Sequence, residues 1–181
     1  MATRREELLE ATIDYLLVNG VSDLSLRPLA AAIGTKARLL IYHFGSRNAL
    51  ITAALTTALR RVQQSFVTMR KGVPPERAVL DFWKFATSKR NAPYLELLFE
   101  VHGLATHHPD LFGEYVQESL DSWRAILAES FRHRGATKRE REERASVWIG
   151  VFDGLLLDYL ATGDLKRTKR ALVRFTKRGA Q

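Results

Sequence analysis

The sequence contains no cysteine among its 181 residues, and this absence excludes several classes of protein at once. Disulfide scaffolds, thiolate zinc sites and cysteine nucleophiles all require that residue. The amino-terminal residues do not lead into the apolar segment of a secretory signal. The longest apolar stretch, residues 147–161, is only 15 residues long and includes two aspartates, too short and too charged for a membrane span. We therefore expect a cytoplasmic protein without a membrane segment.

The sequence also lacks the short patterns that accompany common catalytic and metal sites. It has no glycine-rich phosphate loop, no Gly-x-Ser-x-Gly nucleophile elbow and no kinase signature. His102, His107 and His108 do not follow the His-Glu-x-x-His spacing, so solvated or capping histidines are favoured over metal ligands. We expect no catalytic residue, no bound metal and no cofactor, and therefore no enzyme.

Basic residues outnumber acidic ones by 28 to 20, which gives a formal net charge of +8. Such a balance favours a polyanionic partner without locating its site. Residues 1–47 hold six basic and five acidic side chains, whereas residues 136–181 hold eleven and six. Most of the excess positive charge therefore lies in the last quarter of the chain.

Glycine and proline divide the chain into segments whose apolar residues recur at helical spacing. In residues 3–19, for example, Leu8, Ile13 and Leu16 fall on one stripe, and Gly20 follows as a stop signal. No run of β-branched residues alternates with polar ones over the length of a strand. The pattern predicts an all-α fold of about nine helices.

Residues 25–44 are the most informative segment, because two short predicted helices flank a turn that contains Gly34. Leu29, Ala30 and Leu40 supply the apolar contacts between these helices, and Ala30 is small enough for close packing. This is the plan of a helix-turn-helix, whose second helix lies in the major groove of DNA. A tight helical hairpin within a larger bundle is the alternative interpretation.

The outer side of the second helix carries hydrogen-bond donors. Arg38 can donate in bidentate fashion to O6 and N7 of guanine. Lys36, Tyr42 and His43 suit phosphate oxygens, which position a protein on DNA without specifying the sequence. Arg47, together with the free N–H groups of the helix that begins there, could bind a further phosphate.

Residues 5–55 carry a set of residues at fixed offsets: Tyr15, Leu16, Asn19, Gly20, Ser25, Leu26, Arg27, Leu29, Ala30, Gly34, Leu40, Tyr42, His43, Phe44, Ser46, Arg47, Ala49 and Leu50. With these residues, the segment resembles the DNA-binding domain of TetR-family transcriptional regulators. Four positions depart from the family pattern. Lys36, Ala37 and Arg38 stand where the family has Ser, then Lys or Arg, then Gly, and Ile41 stands where it has an aromatic residue.

The resemblance implies a three-helix DNA-binding domain over residues 1–50 and a helical bundle for ligand binding and dimerisation over residues 51–181. It also implies a homodimer whose two recognition helices bind a palindromic operator in double-stranded DNA. The predicted DNA-binding residues are Ser25, Arg27, Thr35, Lys36, Ala37, Arg38, Leu39, Tyr42, His43 and Arg47.

Residues 146–161 are apolar around nearly the whole circumference of their predicted helix. Such a helix must be covered on all sides, so one side is expected to face the core and the other a second copy of the chain. The resemblance likewise implies a dimer interface made by the last two helices, although a central core helix in a monomer is the alternative. The predicted interface residues are Trp148, Gly150, Val151, Gly154, Leu155 and Asp158.

Aromatic residues are frequent between residues 66 and 131, where the resemblance implies a pocket for a small-molecule effector. Aromatic residues at helical spacing more often belong to a core, and that interpretation stays open. The predicted pocket residues are Trp83, Phe99, His102 and Trp123.

The sequence thus favours a DNA-binding transcriptional regulator, and the resemblance implies a repressor that a small molecule releases from its operator. The alternative is a helical small-molecule-binding protein that no longer binds a specific operator. The departures at residues 36–38 and at Ile41 leave room for this alternative. Salt-dependent binding to one palindromic DNA would separate the two functions.

Overall fold

A computed structural model describes residues 3–132 and 136–178 of the chain. These residues form nine α-helices and no β-strand, which confirms the predicted all-α fold. In chain order the helices are α1 (Arg4–Asn19), α2 (Leu26–Ala32), α3 (Ala37–Phe44), α4 (Arg47–Met69), α5 (Pro75–Ala86), α6 (Ala92–His107), α7 (Pro109–Ser130), α8 (Lys138–Thr162) and α9 (Leu165–Arg178).

Two helices begin at capping boxes, in which a threonine and a glutamate satisfy each other's backbone N–H groups. At the start of α1, the Glu6 N–H donates to Thr3 Oγ1 at 3.3 Å, and the Thr3 N–H donates to Glu6 Oε2 at 2.7 Å. Thr137 and Glu140 form the same pair at the start of α8. Hydrogen bonds from Thr137 hold the pKa of Glu140 below its usual value.

The chain divides into two compact units. Unit 1 comprises Met1–Arg61 and Pro93–Gln117, and unit 2 comprises Val62–Ala92 and Glu118–Gln181. Residue 50, the predicted end of the DNA-binding domain, lies in the first turn of α4 and inside unit 1. The functional division at residue 50 stays a prediction, whereas compactness groups α6 with α1, α2 and α3.

The core of unit 1 gathers the inner faces of α1, α2, α3 and the first half of α4 against α6 and the start of α7. Leu16, Leu40 and Leu50 are fully buried in it. From α7, the buried Tyr115 hydroxyl donates to the carbonyl oxygen of Leu55 at 3.4 Å. Burial raises the pKa of Tyr115 to about 12, so this hydroxyl keeps its proton at neutral pH.

A carboxylate on α6 holds the turn that joins α1 to α2. Glu100 Oε1 accepts hydrogen bonds from the N–H groups of Val21 (2.9 Å) and Ser22 (2.8 Å) and from the Ser22 hydroxyl. Gly20 precedes this turn with a φ of +71°, a conformation that favours glycine. A Cβ atom at Gly20 would lie only 2.6 Å from Glu100 Oε2. Glycine therefore both permits the backbone turn and leaves room for the carboxylate.

Aromatic rings form the centre of unit 2. The Phe82 ring centroid lies 5.0 Å from that of Phe66, 5.5 Å from that of Trp123 and 5.4 Å from that of Phe152. Trp83 meets the Phe152 ring edge-on at 5.5 Å. Rings at such distances contribute about 0.5–1.5 kcal/mol per pair beyond the area they bury. The helices α4, α5, α7 and α8 are therefore joined through one aromatic cluster.

Trp148 lies in the core of its own protomer. Its ring packs edge-on against Phe131 at 5.5 Å and against Phe175 at 5.2 Å, and only 5% of the residue is exposed. Ala145 and Leu156 are buried on the same side of α8. Within the chain, helical spacing aligns Trp148 with these core positions and not with the outer side of the helix. The assignment of Trp148 to a dimer interface stays a prediction.

The two aspartates of α8 differ in their surroundings. Both carboxylate oxygens of Asp158 accept from the Arg167 guanidinium, at 2.6 and 2.7 Å, and these hydrogen bonds lower the pKa of Asp158. The pair joins α8 to α9 in a fixed bidentate geometry. Asp153 has no hydrogen-bond partner among the described residues, and burial raises its pKa to about 6.

The other side of α8 is apolar and uncovered. Although residues 147–161 alone are short, the whole 25-residue helix is long and apolar enough to cross a membrane by length and composition. This criterion is weak for a single helix, and only 17% of the most apolar window is buried. We call this side the α8 outer face, and its exposed residues are Val147, Gly150, Gly154, Leu157 and Ala161.

We predict that Gly20→Ala destabilises the fold more than Gly72→Ala, although both glycines have a φ of +71°. A side chain at positive φ costs about 1–2 kcal/mol. At Gly20 the backbone cost reaches about 1–3 kcal/mol, because its ψ of −167° places it in a region adopted almost only by glycine. At Gly20 the added methyl group also displaces Glu100, whereas a Cβ at Gly72 meets no atom within 4 Å. Loss of the Glu100 hydrogen bonds should add about 1–3 kcal/mol. Urea unfolding of both variants measures the difference, and equal losses would contradict it.

Candidate nucleic-acid interface

A hydrogen-bonded turn of four residues joins α2 to α3. The N–H of Gly34 donates to the carbonyl oxygen of Ala31 at 3.3 Å, and the N–H of Thr35 donates to that of Ala30 at 2.8 Å. Gly34 has a φ of +68°, which a residue with a side chain adopts only at a cost. The turn thereby sets the angle at which α3 leaves α2.

One side of α3 packs into the core of unit 1. Leu40 and Phe44 are buried on it, as are Leu29 and Ala30 on the facing side of α2. The Arg5 guanidinium of α1 lies over the Phe44 ring, 4.8 Å from its centroid, and adds a cation–π contact. This packing fixes the rotation of α3 about its own axis, and so determines which of its residues face the solvent.

The opposite side of α3 presents cations and a phenol to the solvent. Tyr42 is 81% exposed and Ile41 is 38% exposed. Arg38 and Lys36 are also exposed, and neither side chain has a hydrogen bond or ion pair in the part of the chain that the structure describes. We call these four residues the α3 outer face, and its two cations are available for an anionic partner.

Two further predicted contacts are already engaged within the protein. Arg47 Nε donates to the carbonyl oxygen of Leu24 at 2.8 Å, so this side chain ties the start of α4 to the segment before α2. His43 is half-buried, with its ring edge-on to Tyr42 at 5.1 Å. Both residues lie beside the α3 outer face rather than on it.

The remaining predicted DNA-binding residues surround α3. Ser25 and Arg27 are exposed at the start of α2, where the Ser25 hydroxyl makes no capping hydrogen bond. Thr35 is half-buried in the turn. Ala37 and Leu39 are half-buried, and each packs against the core of unit 1 while keeping part of its surface in solvent.

Sequence reasoning gave no role at this surface to three residues that the structure places near it. The Ser46 hydroxyl accepts from the N–H of Ala49 at 3.0 Å and caps α4, a role that serine before a helix commonly has. Arg5 stacks on Phe44, which no local pattern indicates. Ile41 is apolar yet exposed, and such a side chain can contact the methyl group of thymine.

The residues predicted for an effector pocket fall in two groups. Trp83 and Trp123 belong to the aromatic cluster of unit 2, whereas Phe99 and His102 lie about one turn apart on α6 in unit 1. Trp83 Nε1 and His102 Nε2 are buried without a hydrogen-bond partner among the described residues. Burial lowers the pKa of His102, so its imidazole is neutral at pH 7.

The predicted dimer-interface residues other than Trp148 lie toward the solvent. Gly150 and Gly154 are exposed, and a Cβ atom added at either would meet nothing within 4 Å. Val151, Leu155 and Asp158 are half-buried. The packing of a single protomer therefore does not require glycine at either position.

Residues 8–54 match the family model described as bacterial regulatory proteins, tetR family. The matched segment contains nearly all of α1, the whole of α2 and α3, and the start of α4. It therefore includes the turn, the buried side of α3 and the α3 outer face.

Similarity also extends beyond this segment. The chain is 26% identical over 163 residues to the HTH-type transcriptional regulator BetI 1 of Chromohalobacter salexigens, covering 85% of this chain and 77% of that protein. Its fold is similar to that of a transcriptional regulator from Rhodococcus sp. Rha1, with a TM-score of 0.80, 22% identity and coverage of 97% and 95%. The multidrug binding protein EbrR, solved in complex with imidazole, aligns with a TM-score of 0.69, 23% identity and coverage of 94% and 88%.

Substitutions at Arg38 and Lys36 should have different effects on DNA binding. Arg38→Ala is expected to cost about 1–3 kcal/mol on the preferred DNA and to relax specificity at one base pair, because a bidentate donor to guanine is lost. Lys36→Ala should weaken binding to all sequences and reduce the salt slope by about one, because a phosphate contact is lost. Fluorescence anisotropy against a set of single-base DNA variants measures both. Unchanged discrimination by Arg38→Ala would show that another residue contacts the base.

Proposed function

Given that the chain belongs to the tetR family of bacterial regulatory proteins and is a transcriptional regulator, we propose that it is a repressor. In this proposal it binds a specific double-stranded DNA operator and is released from it by a small-molecule effector. The observation that supports operator binding is the α3 outer face. Lys36 and Arg38 are exposed there without an ion pair among the described residues, while the opposite side of α3 is buried.

The proposed DNA contacts divide by chemistry. Arg38 donates to a base edge in the major groove, and Ile41 lies beside it for an apolar contact. Lys36, Tyr42 and the exposed residues at the start of α2 donate to phosphates and set the position of α3. Arg47 supports this arrangement mainly through Leu24, because its Nε is already bonded there.

We further propose that two copies of the chain associate through the α8 outer face. Val147 and Leu157 are 56% and 52% exposed on it, and apolar residues that share one exposed face mark a possible interaction surface. Gly150 and Gly154 have no neighbour where a side chain would begin, so a second helix can approach closely there. A two-fold dimer would also supply two copies of α3, and a palindromic operator requires them about 34 Å apart, the repeat of successive major grooves.

A second copy is a better occupant of this face than lipid. The first two turns of α8 carry Arg139, Glu140, Arg141, Glu142 and Glu143, which a bilayer would exclude. Asp158 and its partner Arg167 lie near the other end of the helix. The charged ends leave the apolar residues of the α8 outer face in the middle of the helix, where a helix of a second copy can cover them.

For the effector, we propose that the aromatic cluster of unit 2 supplies an apolar, ring-stacking environment around Trp83 and Trp123. The unpaired Trp83 Nε1 would supply one hydrogen bond to an acceptor on the ligand. Phe99 and His102 on α6, in unit 1, stay predicted effector contacts. EbrR, with a similar fold, is a multidrug binding protein, which is compatible with this class of ligand.

The proposed mechanism is a shift between two dimer states. One state spaces its two α3 helices for successive major grooves, and the effector binds another state more tightly. The effector then lowers operator affinity by the ratio of its affinities for the two states, and by no more than that ratio. The protein is proposed to act in the cytoplasm, where the proposed operator DNA would be.

The proposal is tested by selecting duplex DNA on the purified protein and titrating the selected site by fluorescence anisotropy. We expect a two-fold symmetric site whose affinity falls steeply between 50 and 200 mM salt, because Lys and Arg side chains displace counterions. A scrambled duplex of equal length is the control. Equal affinity for both duplexes would favour the alternative of a small-molecule-binding protein without an operator.

Leu157→Glu should convert the dimer to monomers. Leu157 is 52% exposed, so covering it contributes about half of the roughly 1.5–3 kcal/mol that full burial of a leucine contributes. A symmetric interface loses this contribution twice, and the two new carboxylates must also be desolvated. The dimer dissociation constant should therefore rise at least about a hundredfold. The matched control is Leu111→Glu, because Leu111 is 37% exposed at the start of α7 in unit 1. Sedimentation velocity measures both variants, and a Leu157→Glu protein that remained dimeric would place the interface elsewhere.

A further inference from the structure

The segment between α1 and α2 is anchored at two points by residues distant in sequence. Glu100 on α6 holds its first part through Val21 and Ser22, at 2.9 and 2.8 Å. Arg47 at the start of α4 holds its last part through the carbonyl oxygen of Leu24, at 2.8 Å. This segment leads directly into α2, whose packing orients α3. Its position is therefore determined by side chains outside the helix-turn-helix.

The hydrogen bonds that Glu100 accepts from this segment all end on one oxygen atom. Oε1 accepts from both backbone N–H groups and from the Ser22 hydroxyl, so it is the acceptor for three donors. Hydrogen bonds to a carboxylate are about twice as strong as those between neutral groups. Gly20 leaves room for the second oxygen, since a Cβ there would approach Oε2 to 2.6 Å. The Glu100 carboxylate of α6 therefore packs closely against the residues that follow α1.

We infer that Glu100 is a positioning residue for operator binding, acting through the α1–α2 segment on the placement of α2 and α3. The inference rests on the proposed function, and it assigns the control of DNA affinity to a residue outside the matched family segment, residues 8–54. Glu100 itself does not contact DNA in this scheme. It restricts the orientations of α3 to those in which Arg38 and Lys36 meet the duplex together.

The test compares Glu100→Ala and Glu100→Gln with the same substitutions at Glu96, one turn earlier on α6, where the side chain is exposed and has no partner among the described residues. The first readout is amide hydrogen exchange of Val21 and Ser22 in the DNA-free protein. The second is the dissociation constant for the selected operator, at a temperature well below the unfolding midpoint of every variant. The salt dependence of that constant is the third.

Glu100→Ala is expected to speed exchange of the Val21 and Ser22 amides at least about tenfold, because their acceptor is lost. Operator affinity should fall at least about tenfold, with an unchanged salt slope, because the phosphate contacts are made by other residues. Glu100→Gln should recover more than half of the operator affinity that Glu100→Ala loses, measured on a logarithmic scale, because its amide oxygen can still accept hydrogen bonds. The Glu96 variants should match the wild-type protein in all three readouts.

Each contrary result has a distinct meaning. If Glu100→Ala is folded and binds the operator as the wild type does, Glu100 only stabilises the fold and the inference is wrong. If Glu100→Gln is as defective as Glu100→Ala, the hydrogen bonds are not the cause and the inference also fails. If the wild-type protein prefers no duplex, the proposed function fails first, and faster exchange in Glu100→Ala would then report a structural contact alone.

Discussion

The burial of one side of α3 is the constraint on which the DNA-binding surface depends. Leu40 and Phe44 have no other place to be buried than the core of unit 1, and their positions fix the helix rotation. Once that rotation is fixed, Arg38 and Tyr42 must face the solvent, because they lie on the other side of a helix only eight residues long. Lys36 and Arg38 are exposed as a consequence of apolar packing, and no polar contact within the protein is needed to orient them toward the solvent.

In α8, too, burial of one side of the helix determines which residues face the solvent, but the result differs. Ala145, Trp148 and Leu156 take the buried side, so the remaining apolar residues are turned outward. In α3 the outward residues are mostly polar, and water solvates them. In α8 they are glycine, valine and leucine, which water solvates poorly. The large apolar residues Leu40 and Phe44 of α3 are therefore buried within one chain, whereas Val147 and Leu157 of α8 are exposed.

Local signals account for the features that the sequence predicted well. Glycines at the helix ends, Thr137 as a cap and the apolar spacing of residues 25–44 each act within a few residues of themselves. These signals were sufficient for the all-α fold and for the exposed cations of α3. They were also sufficient to indicate which chain segment carries the uncovered apolar helix.

Features that depend on distant residues could not be predicted in this way. The sequence shows residues 146–161 as apolar all round, but it cannot tell which side of the helix Phe131 and Phe175 cover, and the ring of Trp148 lies on that side. The Arg47 contact with Leu24 competes with the phosphate role that its position in the sequence suggests. The four proposed effector residues were selected as one set, whereas the structure assigns two to each compact unit.

The contact between Gly20 and Glu100 has a consequence for how this chain can diverge. The two positions are 80 apart in sequence but share one small volume. A larger residue at position 20 is compatible with the fold only if position 100 shortens or withdraws, and a long acidic residue at position 100 is useful only opposite glycine. The two positions are thus expected to change as a pair across descendants of this sequence, so that the identity of one is informative about the other.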